Sequence, residues 1–294
     1  MTGLTEFHIA GQRFEAPALA AGLYVVATPI GNLKDITLRA LETLAAADLV
    51  LCEDTRHSAT LLEQYGIRTP RQALHEHNER ERISDILRQL ADGRRIALIS
   101  DAGTPLVSDP GFPLVRAVRE AGLPVFTTPG ASALLAALSV AGLPTDSFAF
   151  HGFLPPKLEA RETALGTLAP RRETLVFYES PRRLGETLAA MARQFGDDRP
   201  AAVALELTKR FERVERGTLT ELATRYGEGE TKGEAVIVVG GAAEALVEAS
   251  EWQPALAEAL KTLRLREAVD AIAARYGLKR KEVYDAALAL RPKS

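Results

Sequence analysis

The chain has 294 residues, 46% hydrophobic and 26% charged, so it is long enough for two domains with ordinary apolar cores, or for two domains and an appendage. Its formal net charge of −3 argues against a globally basic protein that coats nucleic acid, so any nucleic-acid site must be a local patch. The single cysteine, Cys52, excludes an intrachain disulfide and fits a reducing cytoplasm, and neither a membrane span nor a secretory signal is evident.

The first 21 residues show weak periodicity and are predicted to form a flexible, loosely held extension. Phe7, Ile9 and Phe14 could instead add an edge strand to the sheet that follows. The first firm element is an apolar strand at residues 23–27, rich in residues that favour strands.

Strands and helices alternate through residues 22–130, which predicts an α/β domain with a parallel sheet and right-handed crossovers. The predicted strands lie at residues 23–27, 49–51, 96–99 and 125–127. The predicted helices lie at residues 37–47, from about 56 to Gly66, at 79–91, and from about 110 to 121, with a small-residue helix at 131–141.

The stretch around the third of these strands, residues 95–113, has the strongest functional pattern. A short apolar run ends in Ser100, Asp101 and Gly103, and a carboxylate with a glycine at the carboxyl end of a buried parallel strand is typical of ligand sites in α/β sheets. A tight turn needing these residues for backbone reasons is the alternative. The next helix is predicted to begin with Ser108 or Asp109 as N-cap and a proline in its first turn.

A Thr-Pro dipeptide follows three of the strands, with threonines at positions 28, 104 and 128. Proline drives the preceding residue toward extended geometry, so the chain leaves each strand as a loop before entering a helix. These loops are expected to gather at one sheet edge with Glu53, Asp54 and Asp101, forming a polar cleft.

The second half, residues 131–243, reads as a strand-rich α/β domain with its own sheet. Its predicted strands lie at residues 147–150, 174–177, 201–207, 214–217 and 235–239. Its predicted helices lie at residues 158–168, from Ser180 as N-cap through Pro181 to Phe195, and at 218–226.

The pattern is purely helical near the end of the chain, where residues 250–294 carry nine Lys or Arg against six Asp or Glu. The turn from Tyr276 to Lys281 leads into a last helix with a basic start. Lys279, Arg280 and Lys281 make this module a candidate RNA-binding appendage of the helix-turn-helix type.

Common fingerprints of other chemistries are absent from the sequence. There is no G-x-x-x-x-G-K-[ST] phosphate loop, no G-x-G-x-x-G after a strand, and no G-x-S-x-G around Ser180. His75 and His77 could ligate a metal, but a polar turn is the default reading of the pair, so no metal is predicted.

Five segments together resemble the 16S rRNA cytidine 2′-O-methyltransferases of the tetrapyrrole methylase superfamily. The resemblance covers about residues 22–241 and extends to the helical tail. The segments are Leu23-Tyr24-Val25-Val26-Ala27-Thr28-Pro29-Ile30-Gly31-Asn32-Leu33, Cys52-Glu53-Asp54-Thr55-Arg56, Ser100-Asp101-Ala102-Gly103-Thr104-Pro105, Pro129-Gly130-Ala131-Ser132-Ala133 and Phe177-Tyr178-Glu179-Ser180-Pro181-Arg182-Arg183.

The resemblance implies two α/β domains with a cofactor cleft between them, a small C-terminal helical module, S-adenosylmethionine bound in the cleft, and a homodimer. It also implies 16S rRNA in the small ribosomal subunit as substrate. The cofactor contacts it implies are Pro29, Asp101, Thr104, Ser132, Ala133, Phe153, Leu154, Lys232, Gly233 and Glu234. Such a site suits the chemistry, since the cofactor carries two positive charges and glycines allow close backbone approach.

A general base could help to remove the proton of a ribose hydroxyl, and Glu53, Asp54 and Glu179 are the candidates. Each could instead be a helix N-cap or an ion-pair partner of a nearby arginine, at position 56, 182 or 183. Basic side chains after the later strands could bind RNA phosphates, with a solvated charged face as the alternative. These side chains are Arg182, Arg183, Lys209 and Arg210.

Two rival functions stay open on the sequence. One is methylation of a corrinoid or porphyrin ring, which the basic helical tail and the segment around Glu179 disfavour. The other is a non-catalytic RNA-binding protein associated with the ribosome.

Overall fold

The computed structural model describes residues 5–75, 77–227, 233–243 and 249–290. The chain divides into two compact units, Met1–Ala242 and Ala243–Ser294. The first unit contains two five-stranded sheets with helices, and the second is helical. This confirms the predicted α/β class with a helical C-terminal module, while the predicted domain limits stay predictions.

Strands and helices follow one another through the larger unit. The strands are β1 (Glu6–Ile9), β2 (Gln12–Glu15), β3 (Gly22–Val26), β4 (Leu49–Cys52), β5 (Arg71–Ala73), β6 (Arg95–Leu98), β7 (Val125–Thr128), β8 (Phe148–Phe153), β9 (Thr174–Glu179), β10 (Pro200–Leu205), β11 (Arg213–Thr218) and β12 (Ala235–Val239). The α-helices are α1 (Leu38–Ala46), α2 (Thr55–Gln64), α3 (Glu79–Ala91), α4 (Phe112–Glu120), α5 (Ala133–Val140), α6 (Leu158–Leu168), α7 (Leu184–Phe195) and α8 (Leu219–Gly227).

The first sheet has the order β5-β4-β6-β3-β7 and is parallel throughout, as the alternating pattern predicts. Its central strands are buried on both faces because side chains alternate between two apolar clusters. In β6, Ile96 and Leu98 pack into one cluster, whereas Ala97 and the following Ile99 pack into the other. The parallel arrangement brings the carboxyl ends of these strands to one edge.

The second sheet has the order β11-β10-β12-β9-β8 and is mixed. Only its β8–β9 pair is parallel, and the other pairs are antiparallel. The same alternation applies: Phe177 and Ile237 face one core, and Val176 and Val236 face the other. Helix α5 covers the latter face with Ala137 and Leu138, so it joins the two sheets in sequence while packing on the second.

The N-terminal residues differ from the expectation of a loosely held extension. β1 and β2 form a two-stranded antiparallel hairpin of their own, not an edge strand of the main sheet. Phe7 is buried in the core between α1 and the first sheet, and His8 donates its backbone N–H to the carbonyl of Tyr65 at 2.8 Å. Burying one aromatic ring is enough to hold this segment against the domain.

Three element predictions need correction. The N-cap of α4 is Gly111, at φ +120°, rather than Ser108 or Asp109. The helix predicted to begin at Ser180 starts as a 3₁₀ turn over Pro181–Arg183, with α7 following. Ser180 is the N-cap of this turn and Pro181 follows it, as predicted, although the Ser180 hydroxyl makes no capping hydrogen bond. Strand β5 was not predicted, since its Arg-Gln-Ala sequence carries no apolar pattern.

The second unit consists of α9 (Ala249–Thr262), α10 (Leu265–Tyr276) and α11 (Arg280–Ala289). Trp252, Leu256, Val269, Ile272 and Val283 form its small core. Gly277, at φ +67°, ends α10 and allows the chain to turn into α11, as the sequence predicts. Among the described residues, no helix is both long and apolar enough to cross a membrane.

Candidate functional site

The loops that follow β3 and β6 are tied to each other by backbone hydrogen bonds. Thr28 and Gly103 exchange two of them, at 2.8 and 3.1 Å, in an isolated antiparallel bridge. Gly103, at φ +79°, permits this approach, and the buried Thr28 hydroxyl donates to the carbonyl of Ser100 at 3.2 Å. The first two Thr-Pro loops therefore meet, as predicted.

The loop after β7 joins the same group. Thr104 donates its hydroxyl to the carbonyl of Ala131 at 3.2 Å, which links the second Thr-Pro loop to the third. Ser132 is the N-cap of α5 and accepts a hydrogen bond from the N–H of Leu135 at 3.5 Å. The predicted gathering of these loops at one sheet edge is thus confirmed.

A cavity of about 390 Å³, the first cavity, opens beside these loops and is lined from both sheets of the larger unit. Its size lies in the usual range for a small-molecule site. The residues lining it are Ile30, Asp101, Ala102, Gly103, Thr104, Val107, Ser108, Asp109, Ser132, Ala133, Phe153, Tyr178, Glu179, Ser180, Pro181, Gly233, Glu234, Ala235 and Val236.

A second cavity, of about 550 Å³, adjoins the first. The two cavities share the lining residues Ile30, Asp101, Ala102 and Glu234, so they lie side by side. The remaining residues that line the second cavity are Thr28, Pro29, Gly31, Leu33, His57, Ser58, Thr60, Leu61, Ile99, Ser100 and Lys209.

The loop between β6 and α4 has an unusual backbone. Leu106 and Ser108 lie at φ +74° and +65°, values that residues with a side chain rarely adopt. Both residues belong to the cavity-lining loop, although Val107 and Ser108 are the ones that face the space. Such strain persists where the surrounding structure imposes it, and it is concentrated at functional sites.

Asp109, which the sequence predicts as a helix cap, is a cavity residue instead. It lines the first cavity, and burial raises its pKa to about 6, with repulsion from Glu53 and Asp101 adding to the effect and a hydrogen bond from Ser100 opposing it. Within the described residues it makes no ion pair. Its position eight residues after Asp101, in the same Pro- and Gly-containing loop, was the available signal.

Asp101 lies on the wall between the two cavities and accepts a hydrogen bond from the backbone N–H of Asp54 at 3.2 Å. Glu53 lines neither cavity. Burial raises the pKa of Glu53, and the nearby Asp101 carboxylate raises it further. The two strand ends therefore place like charges close together, an arrangement that favours a cationic ligand.

Asp54 caps α2 instead of facing either cavity. Its carboxylate accepts the backbone N–H of Arg56 at 2.8 Å and pairs with the Arg56 guanidinium at 3.0 Å. The hydrogen bond from the Arg56 side chain is the main reason that its pKa falls to about 2. A carboxylate with so low a pKa is a weak proton acceptor, so the structure favours the helix-cap alternative.

Glu179 lies at the wall of the first cavity, but its side chain is 1% exposed and fully engaged. It accepts hydrogen bonds from Arg183 at 2.8 Å and from the hydroxyl of Thr187 at 2.6 Å. Arg183 also donates to the carbonyl of Leu154 at 3.0 Å. The carboxylate thus holds the ends of β8 and β9 together, which is the ion-pair alternative considered for it.

The buried network continues behind Glu179. Arg161 is almost fully buried and donates to the hydroxyl of Thr187 at 2.7 Å. Its Nη2 also reaches the exposed Glu186 at 3.4 Å. Hydrogen bonds and ion pairs through Thr187, Arg161 and Glu186 therefore support the part of the first-cavity wall at residues 178–181.

Most of the cofactor residues implied by the resemblance lie together. Seven of the ten line the first cavity: Asp101, Thr104, Ser132, Ala133, Phe153, Gly233 and Glu234. Pro29 lines the second cavity, and the Leu154 side chain is buried in a core of the second sheet. Lys232 lies outside the described residues.

The candidate RNA-binding side chains occupy different settings. Arg182 is exposed beside the first cavity, Arg210 is exposed and stacks over Phe211, and Arg183 is committed to Glu179. Lys209 is held by two carboxylates. In the second unit, Lys279 and Lys281 are exposed and Arg280 pairs with Asp270 at 2.5 Å.

The histidine pair gives no support to a metal site. The rings of His75 and His77 lie edge to face with centroids 6.0 Å apart. Within the part of the chain that the structure describes, no three His, Cys, Asp or Glu side chains are arranged to hold a metal ion.

The side chains that line the first cavity suit a cofactor with a sulfonium group. Asp101 and Asp109 supply negative charge for cationic groups, and Ile30 and Val236 supply apolar surface for a flat ring. Gly233, at φ +97°, lets the backbone pass close to Glu206, where a side-chain carbon would overlap that carboxylate.

Comparison with known proteins follows the same division of the chain. The profile of Tetrapyrrole (Corrin/Porphyrin) Methylases matches residues 22–223, and that of the RsmI C-terminal HTH domain matches residues 247–291. Ribosomal RNA small subunit methyltransferase I of Mesorhizobium japonicum is 55% identical over 78% of this chain and 79% of its own. The protein of the same name from Haemophilus influenzae is 46% identical over 91% and 96%.

A solved structure shows the same fold. Uroporphyrin-III C-methyl transferase from Thermus thermophilus, complexed with S-adenyl homocysteine, matches with a TM-score of 0.50 and 23% identity. The match covers 74% of this chain and 97% of that one.

Proposed function

This chain belongs to the tetrapyrrole methylase family, and from that premise we propose that it methylates ribosomal RNA with S-adenosylmethionine. The acceptor is the ribose 2′-hydroxyl of a cytidine in the decoding region of 16S rRNA. The relatives that match most of the chain carry the name of small-subunit rRNA methyltransferases. The helical tail matches a module of the same group, whereas a methylase of small rings has no use for a basic tail.

One observation carries the proposal: the loops after β3, β6 and β7 converge on an acidic cavity that both sheets enclose. The cofactor supplies a methyl group activated by a positively charged sulfur. Asp101 and Asp109 attract that charge, and Ser132 and Thr104 place the α5 N-terminus and its loop against the same space.

Methyl transfer needs the acceptor oxygen in line with the sulfur–methyl bond, so positioning supplies most of the rate. Glu179 contributes indirectly, because it fixes the turn that carries Tyr178 and Pro181 into the cavity wall. Tyr178 accepts a hydrogen bond from the N–H of Leu134 at 3.2 Å, which ties the wall to α5. These residues shape the wall of the first cavity.

The direct test is methyl transfer in vitro. Purified protein, small ribosomal subunits from a strain lacking the modification, and methyl-labelled cofactor are combined, and the RNA is digested to nucleosides. We expect labelled 2′-O-methylcytidine. Label on a tetrapyrrole and none on RNA would overturn the proposal in favour of ring methylation.

The helical unit is proposed to bind the RNA. Lys279 and Lys281 are exposed at the start of α11, and residues 250–294 have an excess of basic side chains. Removing residues 250–294 should weaken binding to rRNA and reduce the salt dependence of that binding, with cofactor affinity largely intact. Unchanged RNA affinity would make the unit structural.

The homodimer and the cytoplasmic location also belong to the proposal. Helix α5 packs on the second sheet and leaves Leu135 and Val140 exposed, an apolar pair that a second copy would cover. Cys52 is a free, buried thiol, which suits a reducing compartment. Sedimentation should find a dimer that Leu135→Glu weakens, and a monomeric wild type would refute it.

A further inference from the structure

The second cavity contains a lysine that is built into the fold. Lys209 lines the cavity, and its ammonium lies 3.0 Å from Glu206 and 3.2 Å from Glu234. The neighbouring Thr208 accepts the backbone N–H of Asn32 at 3.1 Å through its hydroxyl. The loop of Lys209, from the second sheet, is thus fastened to the loop after β3, from the first.

The backbone of the loop that carries Lys209 has unusual dihedral angles. Glu206 and Thr208 lie at φ +50° and +66°, and both are residues with side chains. On the opposite side Gly31 leaves room for the lysine, since a side-chain carbon there would overlap the Lys209 stem. Residues in such strained conformations cluster at active sites and ligand-binding sites.

An ammonium group has three N–H donors and no acceptor. Glu206 and Glu234 occupy two of the donors of Lys209, which leaves a third for the cavity. Burial alone lowers the pKa of Lys209, but the hydrogen bond to Glu206 and the attraction of Glu234 outweigh burial and raise it. The lysine therefore stays charged at neutral pH and acts as a donor, not as a base.

The charges of the cavity select against a phosphate group. Among the described residues, Asp101 and Glu234 line it with Lys209 and His57, so the two carboxylates disfavour a phosphate. A neutral ring with both donors and acceptors fits better. Pro29, Leu33 and Leu61 supply apolar surface for the faces of such a ring.

The Lys209–Glu234 pair presents a donor beside an acceptor. Cytosine offers the complementary edge, an N4–H donor beside the N3 acceptor, whereas uracil offers O4 and N3–H in the reverse order. Enzymes that do chemistry on a base in RNA or DNA read the extruded base by hydrogen bonds along this edge. The two cavities share lining residues, so a nucleoside bound in the second would lie next to a methyl donor bound in the first.

We propose that the second cavity receives the target nucleoside, and that Lys209 and Glu234 recognise its base as cytosine by donating to N3 and accepting from N4. The inference rests on the proposed function, which supplies cytidine as the target. Lys209 is accordingly a specificity residue rather than one of several RNA-phosphate contacts.

The test compares cytidine and uridine as probes, by saturation-transfer NMR on the full chain saturated with S-adenosylhomocysteine. Wild type should bind cytidine about 5-fold or more tightly than uridine. Lys209→Met keeps the stem and loses the donor, so the preference should vanish while cofactor affinity stays. A preference that persists in Lys209→Met would overturn the assignment.

A merely structural role for Lys209 would lower the melting temperature and the S-adenosylhomocysteine affinity and leave the cytidine preference in place. Arg193→Met is the matched control, since Arg193 also pairs with a glutamate at 2.7 Å in the same half of the chain and lines neither cavity. It should retain the preference.

If Lys209→Met does not fold, Thr60→Trp tests whether nucleosides bind in the second cavity. Thr60 is exposed on α2 and lines only the second cavity, so a bulky ring there should exclude both nucleosides and spare the bound cofactor product. Nucleoside binding that survives Thr60→Trp would place the base elsewhere. A cytidine preference without methyl transfer to rRNA would refute the proposed function alone.

Discussion

Asp101 and Asp109 follow a strand of the first sheet and face the first cavity, and neither pairs with a lysine or arginine among the described residues. Glu179 and Glu206 lie at strand ends of the second sheet and are held by Arg183 and Lys209. The carboxylates without a cation are free to attract a charged ligand, and those with one hold the backbone in place. The partner, not the residue type, decides the role.

The largest effect on stability is expected at Glu179, the carboxylate that Arg183 binds. Glu179→Gln removes the buried charge to which the 27% exposed Arg183 donates, which should lower the free energy of unfolding by about 1.5–3 kcal/mol. Urea denaturation measures the loss. Glu120→Gln is the control, because Glu120 and its partner Arg116 are 63% and 66% exposed, so their ion pair contributes little to stability. If both variants lost the same free energy of unfolding, the buried Glu179–Arg183 pair would stabilise the fold no more than an exposed ion pair does.

Asp101 should affect binding more than stability. Asp101→Ala removes a carboxylate that both cavities share, and a hydrogen bond to a charged group contributes about 1.5–3 kcal/mol, so cofactor affinity should fall about 10- to 100-fold. Calorimetric titration with S-adenosylmethionine measures it. Asp85→Ala, at an exposed pair with Arg88, should leave the affinity unchanged. An unaltered affinity in Asp101→Ala would remove that residue from the site.

Asp109 should make the folded protein less stable as the pH rises. Its pKa is about 6 when folded, against 3.8 for the ordinary group, so the folded chain holds the proton more tightly. The resulting stability is complete below pH 4 and is lost as the pH rises through 6. Asp109→Asn removes this titration and should be more stable than wild type at pH 8 by about 1–2 kcal/mol, a figure reduced for partial exposure.

Thermal unfolding of Asp109→Asn and wild type across pH 4 to 8 checks this sign. The difference should grow between pH 4 and 6 and then level off, and the same variant should bind the cationic cofactor less tightly. A constant difference across the range would mean that Asp109 does not titrate in the cavity.

Asp54 should give the smallest effect, since it acts as a cap on an exposed helix end. Asp54→Asn retains an N-cap acceptor and should match wild type in both melting temperature and methyl transfer. Asp54→Ala loses the cap and should lower the melting temperature slightly, again with methyl transfer intact. A strong loss of methyl transfer in either variant would restore Asp54 as a candidate base.

Local patterns predicted most of the elements and the edge at which the site lies. The apolar runs of β3, β4, β6 and β7 are short and uninterrupted, which is the signature of strands buried on both faces. The three Thr-Pro dipeptides end their strands as loops because proline acts on its immediate neighbour. Strand β5 was not predicted, because an edge strand that contains Arg and Gln has no apolar run.

The amino-acid sequence by itself determined the class of the fold, the parallel first sheet, the helical tail and the set of loops around the first cavity, since the order of apolar runs, helical patterns and prolines along the chain predicts each of them. Only the tertiary structure decided which carboxylates are free. Asp54, Asp109 and Glu179 are equally acidic in the sequence, but one caps a helix, one faces a cavity and one is buried against an arginine. Burial and counter-charges come from chain segments that are distant in sequence, and these set the chemistry of an ionisable group.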